Sequence, residues 1–295
     1  MMYLSVREIS EQWCMSERSV RNYCASGRVP GAVLTGKTWS IPEDAQKPER
    51  SNKSKNSART LINVLRRERL SKIHGGIYHK IQVEMTYNSN AMDGNPLSLA
   101  QVRHLFDTNQ IGNLKSNVRL DNLVDVAAHF RCVDEVIDNA NAQLSERFIK
   151  HLHSILFGCT SIARKKWFAV GDYGMLPSEI GETTGSLEDA SVEMRELVSR
   201  YNSLENVSFS DIVSLCAEFE RIKPFQVGTG RIARLIMFKE CLKHHVVPVF
   251  IPVDKKDLYN SALAQWDQNR GPLLGFCFAE QEAFAEMLDN YKVEY

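Results

Sequence analysis

Residues 223–234 read Lys-Pro-Phe-Gln-Val-Gly-Thr-Gly-Arg-Ile-Ala-Arg, and this stretch decides the fold. Apolar residues recur at helical spacing on both sides of it: Ile212, Leu215, Cys216, Phe219 and Ile222 before it, and Ile232, Leu235, Ile236 and Leu242 after it. Pro224 disfavours the α conformation at Lys223, which predicts the end of the first helix. The stretch therefore predicts two helices joined by a tight loop that contains Gly228 and Gly230.

The loop has the composition of an anion-binding helix start. Backbone N–H groups at Gly228, Thr229 and Gly230 would point outward at the positive end of a helix dipole, where phosphate oxygens bind. Arg231 and Arg234 lie three residues apart on one helix face, so both guanidinium groups could bind one polyphosphate. Two arginines at this spacing also occur on ordinary solvated helix faces, so the pattern alone leaves both interpretations open.

The stretch resembles the signature of the Fic (Fido) family, His-Pro-Phe-x-x-(Asp/Glu)-Gly-Asn-Gly-Arg-x-x-Arg. Members of that family transfer AMP from ATP to a hydroxyl side chain of a target protein. The matching positions are Pro224, Phe225, Gly228, Gly230, Arg231 and Arg234. Three positions depart from the signature: Lys223 replaces the His, Val227 the metal-holding acid and Thr229 the Asn.

Each departure has a chemical consequence. A general base works best with a pKa near the operating pH, whereas a lysine starts near ~10.4 and would need a depression of roughly 3 units. Lys223 at the family's His position is therefore better suited to bind phosphate than to act as the catalytic base, and Arg231 is the other catalytic candidate. Val227 has no oxygen for Mg²⁺, so we expect no protein metal site and a Mg²⁺ ion that enters only with ATP or another nucleotide.

Residues 89–95 resemble the inhibitory motif of the same family, Ser/Thr-x-x-x-Glu followed by Gly or Asn. The matching residues are Ser89, Asp93 and Gly94. The resemblance implies that Asp93 pairs with Arg234 and blocks the position of the γ-phosphate, with a looser pair than Glu would make. The segment can also be interpreted as a plain helix C-terminus, since Gly94 and Asn95 commonly end helices.

Residues 167–181 combine short apolar stretches with glycines and a proline, which is typical of a β-hairpin. The family places such a hairpin, the flap, over its active site, where it aligns the target peptide by strand addition. The resemblance implies a target protein bound at Leu176, Pro177 and Ser178. Gly174 stands where relatives often carry Lys or Arg. With these segments, the similarity extends over nearly all of residues 60–295.

Residues 1–48 predict a separate small domain. Two short helices, the first with a Ser5/Glu8 capping box, precede a hairpin around residues 35–38. This order resembles the winged helix-turn-helix of excisionase and MerR-type DNA-binding modules. The resemblance implies contacts with DNA bases or phosphates at Arg18, Arg21, Asn22, Arg28 and Lys37. A protein-contact module of the same size is the alternative, and useful DNA affinity would require a homodimer formed through the larger domain.

Composition fits a two-domain protein of 295 residues, with 43% hydrophobic and 24% charged residues. Residues 1–60 hold ten Lys/Arg against six Asp/Glu, a net charge of +4, which leaves −4 for the rest. Residues 49–59 are polar and predict a linker. Seven scattered cysteines, the absence of a secretion-signal pattern and apolar runs too short for a bilayer favour a cytoplasmic protein with no membrane contact.

The sequence thus predicts a mainly α protein, in which residues 60–295 form an all-helical Fic-type bundle with a small hairpin flap. The combined change of base, metal acid and Asn favours a nucleotide- or phosphate-binding regulator with impaired catalysis and a DNA-binding head. The alternative is an active protein adenylyltransferase that the segment around Asp93 inhibits. A scaffold with an empty pocket is a third interpretation, but a scaffold would need none of the retained glycines and arginines.

Overall fold

The chain divides into two compact units, Met1–Lys55 and Asn56–Tyr295. The structure, a computed structural model, describes residues 3–13, 15, 17–25, 27–36, 38–48, 60–112, 118–174 and 187–294. Lys37 and the flap residues Leu176, Pro177 and Ser178 lie outside these ranges. None of the described helices combines the length and the apolar composition that a membrane crossing requires.

The smaller unit is a three-stranded sheet with two helices. Its elements are β1 (Tyr3–Ser5), α1 (Val6–Gln12), α2 (Glu17–Ala25), β2 (Val33–Thr35) and β3 (Thr38–Pro42). The sheet order is β1-β3-β2 with antiparallel neighbours, and Leu4 lies opposite Ile41 while Leu34 lies opposite Trp39. The sequence pattern does not predict β1, because a three-residue strand depends on pairing with the distant β3 rather than on a local pattern.

Local sequence explains the start of α1. The Ser5 hydroxyl accepts a hydrogen bond from the Glu8 N–H at 3.3 Å, and the Glu8 carboxylate accepts one from the Ser5 N–H at 2.7 Å, which is the predicted capping box. The helices and the sheet enclose a small core of Val6, Ile9, Trp13, Val20, Cys24, Val29 and Ile41. The described part of this unit therefore has a hydrophobic core of its own.

The larger unit is all-helical in its described residues, apart from an isolated bridge between Thr60 and Glu294 and two short 3₁₀ turns. Its helices are α3 (Leu61–Leu70), α4 (Ile77–Met92), α5 (Leu99–Thr108), α6 (Leu120–Asp138), α7 (Glu146–Phe157), α8 (Leu187–Asn202), α9 (Phe209–Ile222), α10 (Thr229–Lys243), α11 (Lys256–Ala264) and α12 (Gly271–Asn290). The sequence predicted the two helices on either side of the glycine loop, α9 and α10, and an all-helical bundle around them. The mainly α fold is therefore confirmed.

Helix α10 lies at the centre of the bundle, packed against α9, α6, α7 and α4. Residues 231–242 are buried without interruption, including the charged Lys239 and Glu240. The helix that follows the glycine loop is therefore surrounded by protein on all sides. Its first two turns carry Arg231 and Arg234 into the interior, next to α4.

The predicted flap is only partly described. Residues 167–174 form turns and irregular backbone without a strand, and the remaining residues of the predicted hairpin, 175–181, lie outside the described ranges. The hairpin itself stays a prediction.

Candidate functional site

The glycine loop begins where α9 ends. Lys223 caps α9 in the left-handed conformation, with φ 50° and ψ 57°, and its N–H donates to the Phe219 carbonyl at 3.2 Å. Gly228 has φ 88° and is the N-cap of α10, where a Cβ atom would lie 2.4 Å from the Phe157 ring. Conformation and space both require glycine at position 228. Because glycine has no side chain to cap the helix, the first-turn N–H groups of α10 are left without a side-chain partner at the cap.

Lys223 is exposed, and among the described residues no hydrogen bond or ion pair involves its ammonium group. Val227 is partly buried and packs against the main core. Thr229 donates from its hydroxyl to the Phe225 carbonyl at 3.3 Å, which ties the loop to itself. The three positions that depart from the signature thus hold a solvated cation, an apolar side chain and a hydroxyl with an internal partner.

Arg231 is buried among acids and an aromatic ring. Its Nε lies 2.7 Å from Oδ2 of Asp93, but the N–H is not aligned for a hydrogen bond, so the contact is an ion pair without one. Its Nη1 lies 3.4 Å from Oδ1 of Asp125 and donates to Oδ1 of Asn90 at 3.4 Å. The guanidinium carbon is 4.8 Å from the centroid of the Phe157 ring. Protein groups therefore already contact Arg231 on several sides.

Arg234 is fixed by the end of α4. Its Nε donates to Oγ of Ser89 at 2.9 Å, and its Nη2 donates to the Ser89 carbonyl at 2.9 Å and to Oδ1 of Asp93 at 3.2 Å. The resemblance implied that Asp93 pairs with Arg234 alone, whereas Asp93 contacts both arginines in the structure. The shorter Asp side chain reaches them because Asp93 caps the C-terminus of α4 directly beside α10.

A third acid, Glu220 of α9, lies close to Gly230 and Arg234. A Cβ atom on Gly230 would lie 3.0 Å from Nη1 of Arg234 and 3.4 Å from Oε2 of Glu220, so the absence of a side chain at Gly230 leaves room for both groups. Oε1 of Glu220 accepts a hydrogen bond from the Tyr259 hydroxyl at 2.7 Å. Burial raises the pKa of Glu220, against the opposing effect of Arg234. Burial likewise raises the pKa of Asp125, which Arg231 partly offsets.

His129 of α6 lies close to the two arginines. Its Nδ1 is 2.9 Å from Oγ1 of Thr86. Burial, with Arg231 and Arg234 close by, lowers the pKa of His129 to about 3. The ring is therefore neutral at physiological pH and adds no positive charge to the site. Sequence reasoning missed Asn90, Asp125, His129 and Glu220 as members of this cluster, and only Asn90 lies within a motif that could have identified it.

The described residues contain no group of three His, Cys, Asp or Glu side chains that could hold a metal ion. The donors near the loop are also unsuited to one, because Asp93 and Asp125 contact Arg231 and Val227 offers no oxygen side chain.

In the smaller unit, the side chains expected to contact DNA lie on or after α2. Arg21 and Asn22 are exposed, and Arg21 forms an ion pair with Glu17 at 2.5 Å. Arg18 is partly buried, and the guanidinium of Arg28 lies 4.7 Å from the centroid of the Tyr23 ring.

Fold and site together define an all-helical domain in which a glycine loop leads into a central helix with two buried arginines. The sequence model described as Fic/DOC family matches residues 143–241, which include this loop. The chain is also 24% identical over 217 residues to a protein adenylyltransferase Fic of Aedes aegypti, a match that covers 71% of this chain. The match covers 41% of the mosquito protein, so the chain spans well under half of that relative.

Solved structures agree on the fold. A Fic domain-containing signaling protein from Bacteroides thetaiotaomicron superposes with a TM-score of 0.62 at 21% identity, covering 78% of this chain and 97% of that one. Fic-1 from C. elegans superposes with a TM-score of 0.61 at 17% identity, covering 78% of this chain and 69% of that one. Residues 143–241 thus match the Fic/DOC family, and the larger unit has the fold of these Fic-domain structures.

Proposed function

We propose that the chain is a Fic-type regulator that binds a nucleotide or another phosphorylated ligand at Gly228, Thr229, Gly230, Arg231 and Arg234, with impaired catalysis. The observation that carries the proposal is that the phosphate-binding residues of the signature are retained, whereas its catalytic residues are replaced. The loop and both arginines are kept, whereas Lys223 and Val227 hold the positions of the family's base and metal acid. A polyphosphate would compete with Asp93 for the two guanidinium groups.

An active transferase is the second candidate. Its support is the contact of Asp93 with both arginines, because an internal acid that excludes a ligand suits an enzyme that is kept inhibited. The mosquito relative is a protein adenylyltransferase, so the corresponding reaction would move AMP from ATP to a hydroxyl group of a target protein. The target oxygen would attack the α-phosphorus, and pyrophosphate would leave. Loss of a general base costs about 10²- to 10⁴-fold, so a residual rate is compatible with Lys223.

The decisive experiment compares wild type with Asp93→Gly after incubation with ATP and Mg²⁺. Intact mass reports AMP transfer to the protein itself, and calorimetry on the same samples reports nucleotide binding. We expect tighter ATP binding by Asp93→Gly without added mass. An added AMP on Asp93→Gly that disappears in Asp93→Gly/Arg231→Ala would instead establish the transferase. If neither variant binds ATP or gains mass, the scaffold interpretation would be favoured.

We further propose that residues 1–48 bind DNA, as a head attached to the regulatory domain. Support comes from the resemblance to winged helix-turn-helix modules and from the exposure of Arg21 and Asn22 on α2. The pair of Arg21 with Glu17 is half-exposed and therefore weak, so a phosphate could displace the carboxylate. A single head would bind weakly, so we expect two copies of the chain on one DNA site.

Arg21→Ala should weaken DNA binding roughly tenfold in a gel-shift titration at fixed salt, because it removes one charged contact. Arg7→Ala is the matched control, since Arg7 is equally paired within its helix, with Glu11 at 3.3 Å, but lies on α1. Equal affinity of wild type and Arg21→Ala would argue against α2 as the DNA-reading helix. Equal loss in both variants would indicate a nonspecific charge effect.

A further inference from the structure

The side chain of Gln226 connects the glycine loop to residues 167–174. Its Nε2 donates to the Trp167 carbonyl, and its Oε1 accepts from the Ala169 N–H at 2.8 Å. A backbone hydrogen bond from Gly174 N–H to the Pro224 carbonyl, at 3.1 Å, joins the same two segments. The amide of Gln226 therefore pairs with backbone groups of the neighbouring segment as a strand residue would.

His153 of α7 makes a second connection between the same segments. Its ring stacks on Phe225, with centroids 4.1 Å apart and an interplanar angle of 6°. Nδ1 accepts from the Gly171 N–H at 2.9 Å, so the ring proton is on Nε2, which donates to the Val227 carbonyl at 3.3 Å. Burial lowers the pKa of His153 to about 4, which keeps the ring in this neutral form.

The contact with Val227 determines the direction of the next amide. The peptide between Val227 and Gly228 is trans, as is every peptide bond in the described chain. In a planar trans peptide the N–H points opposite to the carbonyl. Because His153 holds the Val227 carbonyl, the Gly228 N–H is turned away from His153.

Gly174 lies directly beside the Gln226 side chain. A Cβ atom at position 174 would lie 2.8 Å from both Cδ and Oε1 of Gln226, and 3.1 Å from Cβ of Ala169. Position 174 therefore admits a side chain only if Gln226 moves. The absence of a side chain at Gly174 therefore leaves room for the Gln226 amide.

We propose that Gln226 and His153 are positioning residues that hold the glycine loop ready for an anion by joining it to residues 167–174. The inference rests on the proposed phosphate-binding function of the loop and extends it to the residues that fix the loop backbone. Neither side chain needs to touch the ligand. They act through the backbone of residues 225–228.

The ligand-free protein provides the first test. Amide hydrogen exchange, followed by mass spectrometry, compares full-length wild type with Gln226→Ala and His153→Phe, the latter keeping an aromatic ring against Phe225. Loss of two hydrogen bonds should speed exchange of peptides covering 225–231 about 5- to 30-fold. Gln265→Ala is the control. Gln265 also donates to a backbone carbonyl, that of Ser261 at 3.0 Å, but Ser261 lies on α11 and Gln265 caps the C-terminus of the same helix. Unchanged protection of the loop in Gln226→Ala would overturn the proposal.

Calorimetry with ATP and with inorganic pyrophosphate provides the second test. We expect an increase in Kd of about 5- to 30-fold for Gln226→Ala, no change for Gln265→Ala, and a Gly174→Ala/Gln226→Ala double variant no weaker than Gln226→Ala alone. Additive losses in the double variant would overturn the assigned contact. If wild type binds neither ligand, the proposed function fails, while the exchange experiment still decides whether the two residues hold the loop. If His153→Phe does not fold, Gln226→Ala carries both tests.

Discussion

Lys223 occupies the family's base position in a backbone conformation that histidine tolerates. The left-handed region is enriched in His, Asn and Asp among residues other than glycine, so His at a φ of 50° would fit. Adding Lys223→His, Val227→Asp and Thr229→Asn to Asp93→Gly should restore a base and a metal anchor. We expect AMP transfer at least about 10²-fold above Asp93→Gly, measured by intact mass with ATP and Mg²⁺.

Lys223→Ala, Val227→Asp and Thr229→Asn in the same Asp93→Gly background is the control, because it restores the anchor without the base. Equal rates for the two quadruple variants would show that the base position does not limit transfer in this fold. No transfer by either would mean that the loop itself cannot place the α-phosphate for reaction.

Glu220 provides a prediction about pH. Burial raises the pKa of Glu220 in the folded state, so the unfolded chain loses this proton at a lower pH than the folded chain does. The free energy of unfolding of the wild type therefore falls as pH rises from the unfolded pKa to the folded pKa. Below about pH 4 the carboxyl of Glu220 is protonated in both the folded and the unfolded state, so its titration does not change the free energy of unfolding there. Glu220→Gln should therefore gain free energy of unfolding relative to wild type between pH 4 and pH 7, measured by urea unfolding.

The exposed Glu196 of α8 supplies the matched variant, Glu196→Gln, which should follow wild type at both pH values. A Glu220→Gln protein that loses stability relative to wild type as pH rises would show that attraction to Arg234 outweighs the burial of the carboxylate.

Individual residues of the site differ in how far sequence could predict them. The glycines, the arginines and Asp93 lie in contiguous motifs, so resemblance was sufficient to propose them. Asp125 and Glu220 come from α6 and α9 and approach the arginines only through helix packing. No spacing in the sequence relates them to position 231 or 234, so sequence reasoning could not have assembled the full set of charges.

At the scale of the element, more residues of α10 are buried than the apolar positions in its sequence predict. The sequence predicted a helix with one apolar side, but Lys239 and Glu240 are as buried as their neighbours because they neutralise one another. Nζ of Lys239 lies 2.6 Å from Oε1 of Glu240, and the Tyr201 hydroxyl donates to Oε2 at 3.0 Å. Helix type and position follow from sequence pattern, whereas full enclosure depends on pairs that form only in the folded chain.

This pair gives a prediction for the stability of α10. Glu240→Leu should destabilise the protein by about 3–5 kcal/mol, because it leaves the Lys239 ammonium buried without its counter-ion. Lys239→Met/Glu240→Leu should recover most of that loss, since it removes both charges and keeps similar volume. Urea unfolding at pH 7 measures both. A double variant as unstable as Glu240→Leu would mean that the contact of Lys239 with the Ala142 carbonyl, rather than the ion pair, stabilises the helix end.

At the scale of the whole molecule, the two units carry opposite charge. Residues 1–55 hold nine Lys/Arg against six Asp/Glu, and residues 56–295 hold 27 against 30. If residues 49–59 act as the predicted linker, trypsin should cut first at Arg50, Lys53, Lys55 or Arg59. The two fragments should then separate at pH 7. The smaller one, with a net charge between +1 for a cut after Arg50 and +4 for a cut after Arg59, should bind a cation exchanger, and the larger one, with −1 to −4, an anion exchanger.

Two further results would connect this division to function. The larger fragment should keep the ATP affinity of the intact chain, because every residue of the glycine loop and its acid partners lies within it, and the smaller fragment should keep the weak DNA binding of a single head. A variant with Arg50, Lys53, Lys55 and Arg59 changed to Gln should resist the first cut while leaving both binding activities intact. First cleavage within residues 60–295 would show that the boundary between the units lies elsewhere. Loss of ATP binding by an otherwise folded larger fragment would show that the smaller unit contributes to the site, and the regulator would then have to be understood as one cooperative molecule.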